Sequence, residues 1–387
     1  MYTRCAHWLP GTLFSTRVCF TWFSMWLIGW MYRYSQNPIF NGVSPGSRGQ
    51  VYAAEAARLL QEQLSFPSLE TTQACILIGH FMGGEGDTKA KHTYFGLAKL
   101  HAENLSLWAM PLPQNLSVVH REERRRTWLS VRIADHWTAV DLSVEATPFL
   151  SGRDVLPAVD DVAFHTFDPE LLRESSSSSC NMWAHMAGML DIFARVNILL
   201  ARLSRNVISF NTYCQEVPQL TQHLDKWAKA LPEELKYSIP NLTSFANKGL
   251  GKTFLSMHLR YHHFRQMLYF PFLDSHSGQS SAIPVDGSTQ CKTSASMVSE
   301  ILQYAMRFEN CELDYFVFGY IAVVSSCVHL HTLLLSEDPT ELWTGRQRLV
   351  SNFEYLMSLK ILWPAVNQSV CFLREEREDR KNKKKKS

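Results

Sequence analysis

The chain lacks close cysteines. Its nine stand at 5, 19, 75, 180, 214, 291, 311, 327 and 371, the nearest two are fourteen residues apart, and no CxxC pair occurs. A structural zinc site draws two thiolates from one tight turn, because a short loop holds them at tetrahedral spacing with little loss of chain entropy. The spacing therefore predicts no zinc module and no bound zinc. An odd count spread over apolar stretches, such as those holding Cys75, Cys214 and Cys327, reads as reduced, buried thiols of a cytosolic or nuclear protein. The sequons at Asn104, Asn115, Asn241 and Asn367 would matter only in a secreted chain and are read as chance.

Net charge is lacking too. Thirty-eight basic residues against 36 acidic leave +2, so no global field marks a nucleic-acid wrapper, and any such contact must be local. Period-two alternation is missing, which argues against a sheet. Catalytic signatures are incomplete. Gly249-Leu250-Gly251-Lys252-Thr253 ends like a phosphate-binding loop, but Ala246 stands where the first glycine is required and no apolar strand precedes it. His258, His262 and His263 have metal-like spacing without the glutamate of HExxH, and there is no GxSxG. The expectation is a protein without cofactor or metal that is not an enzyme.

What is present is apolar and helical. At 387 residues and 46% hydrophobic, the chain can bury two or three units of ordinary size, or one large helical array. Stripes at helical spacing run through Ala53, Ala56, Ala57, Leu60 and Leu64, then from Ser68 to Gly83-Gly84, and then through Tyr94, Leu97, Ala98, His101 and Leu105. A helix over about His120 to Val140 sets Leu129, Ile133, Trp137 and Val140 on one face, with Arg121, Arg124, Arg125 and Arg132 at polar positions. Further stripes hold Ile192 to Leu203, Leu220 to Leu231, Phe254 to Leu268, Ser294 to Glu309 and Tyr315 to Leu335. The fold class predicted is all-α.

Residues 1–45 read as a hydrophobic, Trp-rich leader, residues 46–370 as the helical domain with an internal linker near 274–290, and residues 371–387 as a charged tail. The leader contains an uncharged run of fifteen residues, Val18 to Tyr32, short for a membrane span of about 20. Its readings are an unstructured or non-native leader, a segment packed on the domain, or a membrane or secretory element. Tyr315 to Leu335 has 21 residues without Asp, Glu, Lys or Arg and is long enough to span, yet contains Ser325, Ser326, His329 and His331, so a buried core helix is the expectation. The rival class is a membrane protein with spans near 18–32 and 315–335.

Four stretches in order resemble one family. They are Pro67 to Ala74 running on to Leu105-Ser106-Leu107; Glu122-Glu123-Arg124-Arg125-Arg126-Thr127-Trp128 followed by Asp135, Pro148 and Leu156-Pro157; Leu224-x-x-Trp227-x-x-x-Leu231-Pro232, His258-Leu259-x-Tyr261-His262 and Pro271-Phe272-Leu273; and Val317 to Leu335 with Leu359 to Trp363-Pro364. Together these resemble the fungal-specific transcription factor domain, the middle homology region of the fungal zinc-cluster regulators. The second stretch is the most specific, and its motif residues are Glu123, Arg124, Arg125, Arg126, Trp128 and Asp135. Three departures stand out: no amino-terminal cluster of six close cysteines, Leu129 for a second tryptophan, and Glu145-Ala146-Thr147-Pro148 for Gly-Arg-Pro. Zinc would be expected only with such a cluster.

The resemblance implies an all-helical regulatory domain in a nuclear transcription regulator of metabolic or secondary-metabolite genes, with related regulators as homo- or heterodimer partners and a small-molecule effector. It implies DNA binding for the family, which the missing cluster reduces here to weak, nonspecific contact. A cluster-less or truncated regulator, acting by heterodimerisation or inactive, is the alternative within the class. The arginine motif has two physical readings. On a helix Arg121 and Arg125 are one turn apart, as are Glu122 and Arg126, so the motif can bridge helices above a buried Trp128; or it can form a phosphate-binding patch. The tail ending in Lys383, Lys384, Lys385 and Lys386 reads either as a solvated charge run or as a nuclear-import or phosphate-contacting segment.

Overall fold

A computed structural model of the chain describes residues 32–109, 115–142, 144, 158–166, 181–273 and 287–367. The tryptophan-rich run before residue 32, the loop at Pro111 to Pro113, Pro148, Leu156-Pro157, the run Ser175 to Ser179, most of the 274–290 linker and the lysine tail lie outside them. Among the described residues there are thirteen α-helices and no strand, so the all-α expectation is met. They fall into two compact units, one formed by residues up to Ala194 with Pro232–Leu235, the other by Arg195–Leu231 with Lys236 onward.

The first unit contains α1 (Gln50–Gln61), α2 (Leu69–Glu85), α3 (Thr88–Asn104), α4 (Val118–Leu142), α5 (Asp161–Thr166), α6 (Met182–Gly188) and the start of α7 (Leu190–Ser204). Their ends follow from capping chemistry, which gives partners to amide groups that a helix terminus leaves open. The Ser68 hydroxyl accepts from the Thr71 amide, the Asp87 carboxylate from the Ala90 amide, and the Asn181 side chain from the Ala184 amide. Gly86 closes α2 with φ of 91°, a left-handed position that costs a glycine little. α2 is buried over most of its surface and packs on α3 and α4. Gly79 sets the α2–α3 approach: a Cβ there would lie 2.4 Å from the Phe95 ring.

Part of the segment read as a leader is packed into this unit. Arg33 is buried, forms an ion pair with Glu85 and lies with its guanidinium carbon 4.8 Å from the Phe81 ring centroid. Arg48 donates to the carbonyls of Val43 and Ser35.

The second unit contains the rest of α7, then α8 (Phe210–Ala230), α9 (Ile239–Asn247), α10 (Gly251–Tyr269), α11 (Gly287–Arg307), α12 (Val317–Leu335) and α13 (Pro339–Leu362). α10, α11, α12 and α13 pack on one another, with α8 and α9 against α10. α11 begins at Gly287, so the last four residues assigned to the linker are already helical; a Cβ on Gly287 would lie 2.5 Å from the Phe272 ring. α9 occupies a stretch that looks polar in sequence, capped by Ser238 with Pro240 in its first turn.

α12 alone among the described helices is long and apolar enough to cross a membrane, and two thirds of it is buried inside the fold. Its neighbours α10, α11 and α13 cover Ile321, Ala322, Val328 and the polar Ser325, Ser326 and His329. It is the core helix of the second unit. The chain entering it is pinned by the buried Tyr355 hydroxyl, which donates to the Leu313 carbonyl, and by the Trp363 indole, which donates to the Asp314 carbonyl at 2.6 Å.

Candidate functional site

The arginine motif lies in the first half of α4, and its polar groups turn inward. Glu122 is fully buried. Its carboxylate accepts from Arg126 Nε at 2.7 Å, from the Ala158 amide at 3.0 Å and from Arg125 at 3.4 Å. The guanidinium of Arg126, 2% exposed, extends onward from this pair. Its Nη2 donates to Asp161 at 2.8 Å and to the Val159 carbonyl at 3.2 Å, and its central carbon lies 4.3 Å from the Phe164 ring centroid. Asp161 in turn accepts from the Met182 amide at 2.6 Å, while Asn181 donates to the Val159 carbonyl. One side chain thus gathers α4, the 158–161 segment and the start of α6. Val159, Ala163 and Phe164 form a small apolar cluster there, with Val118 and Val119 against it.

Electrostatics explains why such a group stays charged in a dry site. Burial works against the Arg126 cation, but Asp161 and Glu122 outweigh it and hold its pKa above the ordinary arginine value. Burial pushes the Asp161 carboxyl up, against the pull of Arg126 and the Met182 amide. Forked, charge-assisted hydrogen bonds are what make a sealed ion pair tolerable.

The other motif residues also face protein. Arg124 donates to the Leu105 carbonyl at 3.0 Å, satisfying the end of α3. Trp128 is buried, with the Arg132 guanidinium 5.9 Å from its ring centroid. Asp135 accepts from Lys99 of α3 at 2.9 Å and pairs with Arg132 at 3.4 Å. Glu123 sits beside Gln73 of α2, which donates to it at 3.4 Å and to Thr127 at 3.1 Å. Burial raises the Glu123 carboxyl to about 7, and the Gln73 hydrogen bond opposes it.

Two expectations from sequence need correction. Arg125 and Arg132, assigned to the polar side of the helix, are buried. The supposed apolar face is only half covered at Ile133, Trp137 and Val140. α4 is enclosed on several sides, so its polar residues find carboxylates and carbonyls instead of water. Sequence reading also missed Asp161, Val159, Asn181 and Gln73. The adjacent acids Asp160 and Asp161 were the available signal; Asp160 caps α5, accepting from the Val162 and Ala163 amides.

The remaining chemical candidates are filled by protein. The Gly249–Thr253 turn opens α10, but Gly251 packs so closely on residues 310–311 that a Cβ would lie 2.5 Å from Cys311 Sγ. The Lys252 amide donates to the Asn310 carbonyl, and its buried ammonium faces Glu312 at 3.5 Å and Asp314 at 3.8 Å. A phosphate would have to displace both. His258 packs edge-on to Phe254 and tilted against Tyr237, and His263 pairs with Gln266 at 3.0 Å. Among the described residues no three His, Cys, Asp or Glu side chains converge to hold a metal.

The profile of the family described as "Fungal specific transcription factor domain" matches residues 13–239. The chain belongs to this family. The match begins inside the segment read as a leader and takes in the arginine motif of the fungal transcription factor domain. A transcriptional regulatory protein of Schizosaccharomyces pombe, described as uncharacterized, is 25% identical over 281 residues, which is 63% of this chain and 28% of the relative. A Zn(2)-C6 fungal-type transcription factor of Fusarium oxysporum f. sp. lycopersici is 23% identical over 373 residues, 86% of this chain and 39% of the relative. The chain thus spans between 28% and 39% of the length of these curated relatives. No solved structure matches it.

The zinc in the second relative's name does not fit the described cysteines. Cys75, Cys214, Cys291 and Cys311 are buried, and burial pushes Cys75 and Cys291 up to about 12 and Cys311 to about 11, away from the thiolate that zinc requires.

Proposed function

We propose that this chain is a nuclear transcription regulator whose helical domain acts through protein and effector contacts, governing a metabolic or secondary-metabolite gene set. The domain family supports the transcriptional reading. The inward engagement of the arginine motif supports the manner of action. Arg125 and Arg126 are buried, Glu122 and Asp161 hold Arg126, and this supports reading the pair as an internal brace and not as a phosphate-binding surface. Such a domain transmits or masks activity without reading bases. It is a regulator and not an enzyme, and its partners are a second regulator chain and a small-molecule effector.

The test tethers the chain to an unrelated DNA-binding module in a fungal host. Reporter output should differ from that of the module alone, and should return to the module's level in an Asp161→Ala variant that loses the brace. Output identical to the module's for the intact chain counts against a regulatory role. DNA binding by the chain itself should be weak, indifferent to sequence and lost steeply with salt, since phosphate contacts draw on counterion release. Replacing Lys383, Lys384, Lys385 and Lys386 with alanine should remove most of it and leave a fluorescent fusion outside the nucleus. Sequence-specific binding that survives near physiological salt in this variant would reveal a DNA-reading element elsewhere.

A further inference from the structure

We propose that the outward face of α13 binds the same face of a second copy of this chain, antiparallel, on a two-fold axis at Val350. The inward side of α13 is settled: Ser351, Asn352, Tyr355, Leu356 and Leu359 are buried in the second unit. The opposite side carries large apolar groups in water, with Trp343 66% exposed, Val350 50%, Met357 45% and Ile361 57%. Trp343, Val350 and Met357 are seven residues apart, the repeat that keeps a seam on one side of a helix when two helices wind together. A row of large apolar groups exposed along one side of a helix is the kind of surface that marks an interaction site.

The occupant follows from the symmetry of the pattern. Val350 lies at the middle of α13, which runs eleven residues back to Pro339 and twelve on to Leu362. A two-fold axis at Val350 sets each residue opposite the one equally far on the other side of 350. Trp343 then meets Met357, Val350 meets its own copy, and Ile361 meets the exposed Pro339. The exposed Arg346 and Glu354 stand four residues before and after Val350, so each faces the other across the axis. A parallel pair would set arginine beside arginine and glutamate beside glutamate. The face is therefore complementary to itself in shape and charge only when antiparallel, which is the condition for an isologous dimer.

Light scattering after gel filtration of the 387-residue chain, from about 1 to 100 μM, reads the result, because a single helix pair is a small interface of weak to moderate affinity. A dimer is expected at the upper end. Val350→Lys should raise its dissociation constant at least about tenfold, with unchanged helix content by circular dichroism. Arg346→Glu should weaken the dimer, and adding Glu354→Arg should restore it. Val350→Cys should give a disulfide-linked dimer on mild oxidation that Ile361→Cys does not, since in the antiparallel pair the two copies of position 361 lie about 33 Å apart. A monomer throughout the range, failure of the charge exchange to restore association, or equal cross-linking through position 361 would overturn the proposal. Mass is read without reference to DNA or reporter output, so this test stands or falls apart from the regulatory reading.

Discussion

A sealed polar network in the first unit is ionised: Glu122, Arg125, Arg126 and Asp161 exchange charge-assisted hydrogen bonds with almost no water. One in the second unit is neutral. The Ser299 hydroxyl meets the His329 ring at 2.8 Å and Ser325 at 3.1 Å, Ser325 donates to the Ala295 carbonyl, and Asn352 donates to Ser325 and Ser326, tying α11, α12 and α13 together. In both, each side chain finds at least one hydrogen-bond partner, as buried polar groups must, although the Asn352 Oδ1 is buried without one. They differ in what removes them. A charged brace fails when one partner is deleted, because the other charge is left in a dry site. A neutral network fails when a proton enters it.

The largest effect should come from deleting a charge. Asp161→Ala leaves Arg126 with the Glu122 carboxylate and the Val159 carbonyl and opens the Met182 amide, and the first unit should lose about 3–5 kcal/mol. Urea unfolding followed by tryptophan fluorescence measures this. A loss below about 1 kcal/mol would mean that the brace is solvated and that the contrast between the units is false.

Acid should act next, and chiefly on the second unit. Burial lowers His263 to about 3 and His329 to about 4, with the positive Arg348 assisting at His329. A lowered folded-state pKa means stability that is present above the unfolded value near 6.5 and lost as pH falls through the window down to 4 or 3. At pH 5 each imidazole should cost about 2 kcal/mol. The first unit has acid-sensitive imidazoles of its own, since burial also lowers His101 and His136. His329→Gln keeps a polar partner for Ser299 and should flatten the decline between pH 6.5 and 4. An unchanged pH profile would show that the Ser299 cluster admits the proton without loss.

The contrast also marks how far sequence reading reached. Helices were legible because apolar residues recur at helical spacing, as in Ile192, Val196 and Leu199, and α12 was legible as core because its serines and histidines interrupt an apolar run. α9 was missed because Asn241, Thr243 and Asn247 look like loop, while Leu242, Phe245 and Ala246 supply only one buried turn. The arginine motif was found as a motif, but its geometry was hidden. Helical spacing supplied the Glu122–Arg126 pair one turn apart and a bridging role above Trp128, but not the carboxylate from 35 residues away that meets Arg126. Nothing local at Arg126 announces Asp161, because tertiary packing makes that pair.

The smallest and sharpest test lies at Glu123, a buried acid faced by Gln73 and Glu70 where Asp161 is faced by Arg126. Gln73 donates to it at 3.4 Å, too long to offset burial, and its carboxyl rises to about 7. The sign is opposite to that of the histidines. A carboxyl with a raised folded-state pKa contributes stability below its unfolded value near 4.5, and that contribution is lost as pH rises through 7. Glu123→Gln keeps the shape and an acceptor for Gln73 while removing the ionisation. The variant should match the parent near pH 4, diverge from it as pH rises, and be more stable by about 1–2 kcal/mol at pH 8, below the ceiling of about 3 set by the full shift, because a little water still reaches the group. Paired urea titrations at pH 4, 6 and 8 read this difference while cancelling every histidine common to both chains. A variant less stable at pH 8 would mean that the Glu123 carboxylate is held by a cation, and the brace would then extend along the whole of the motif.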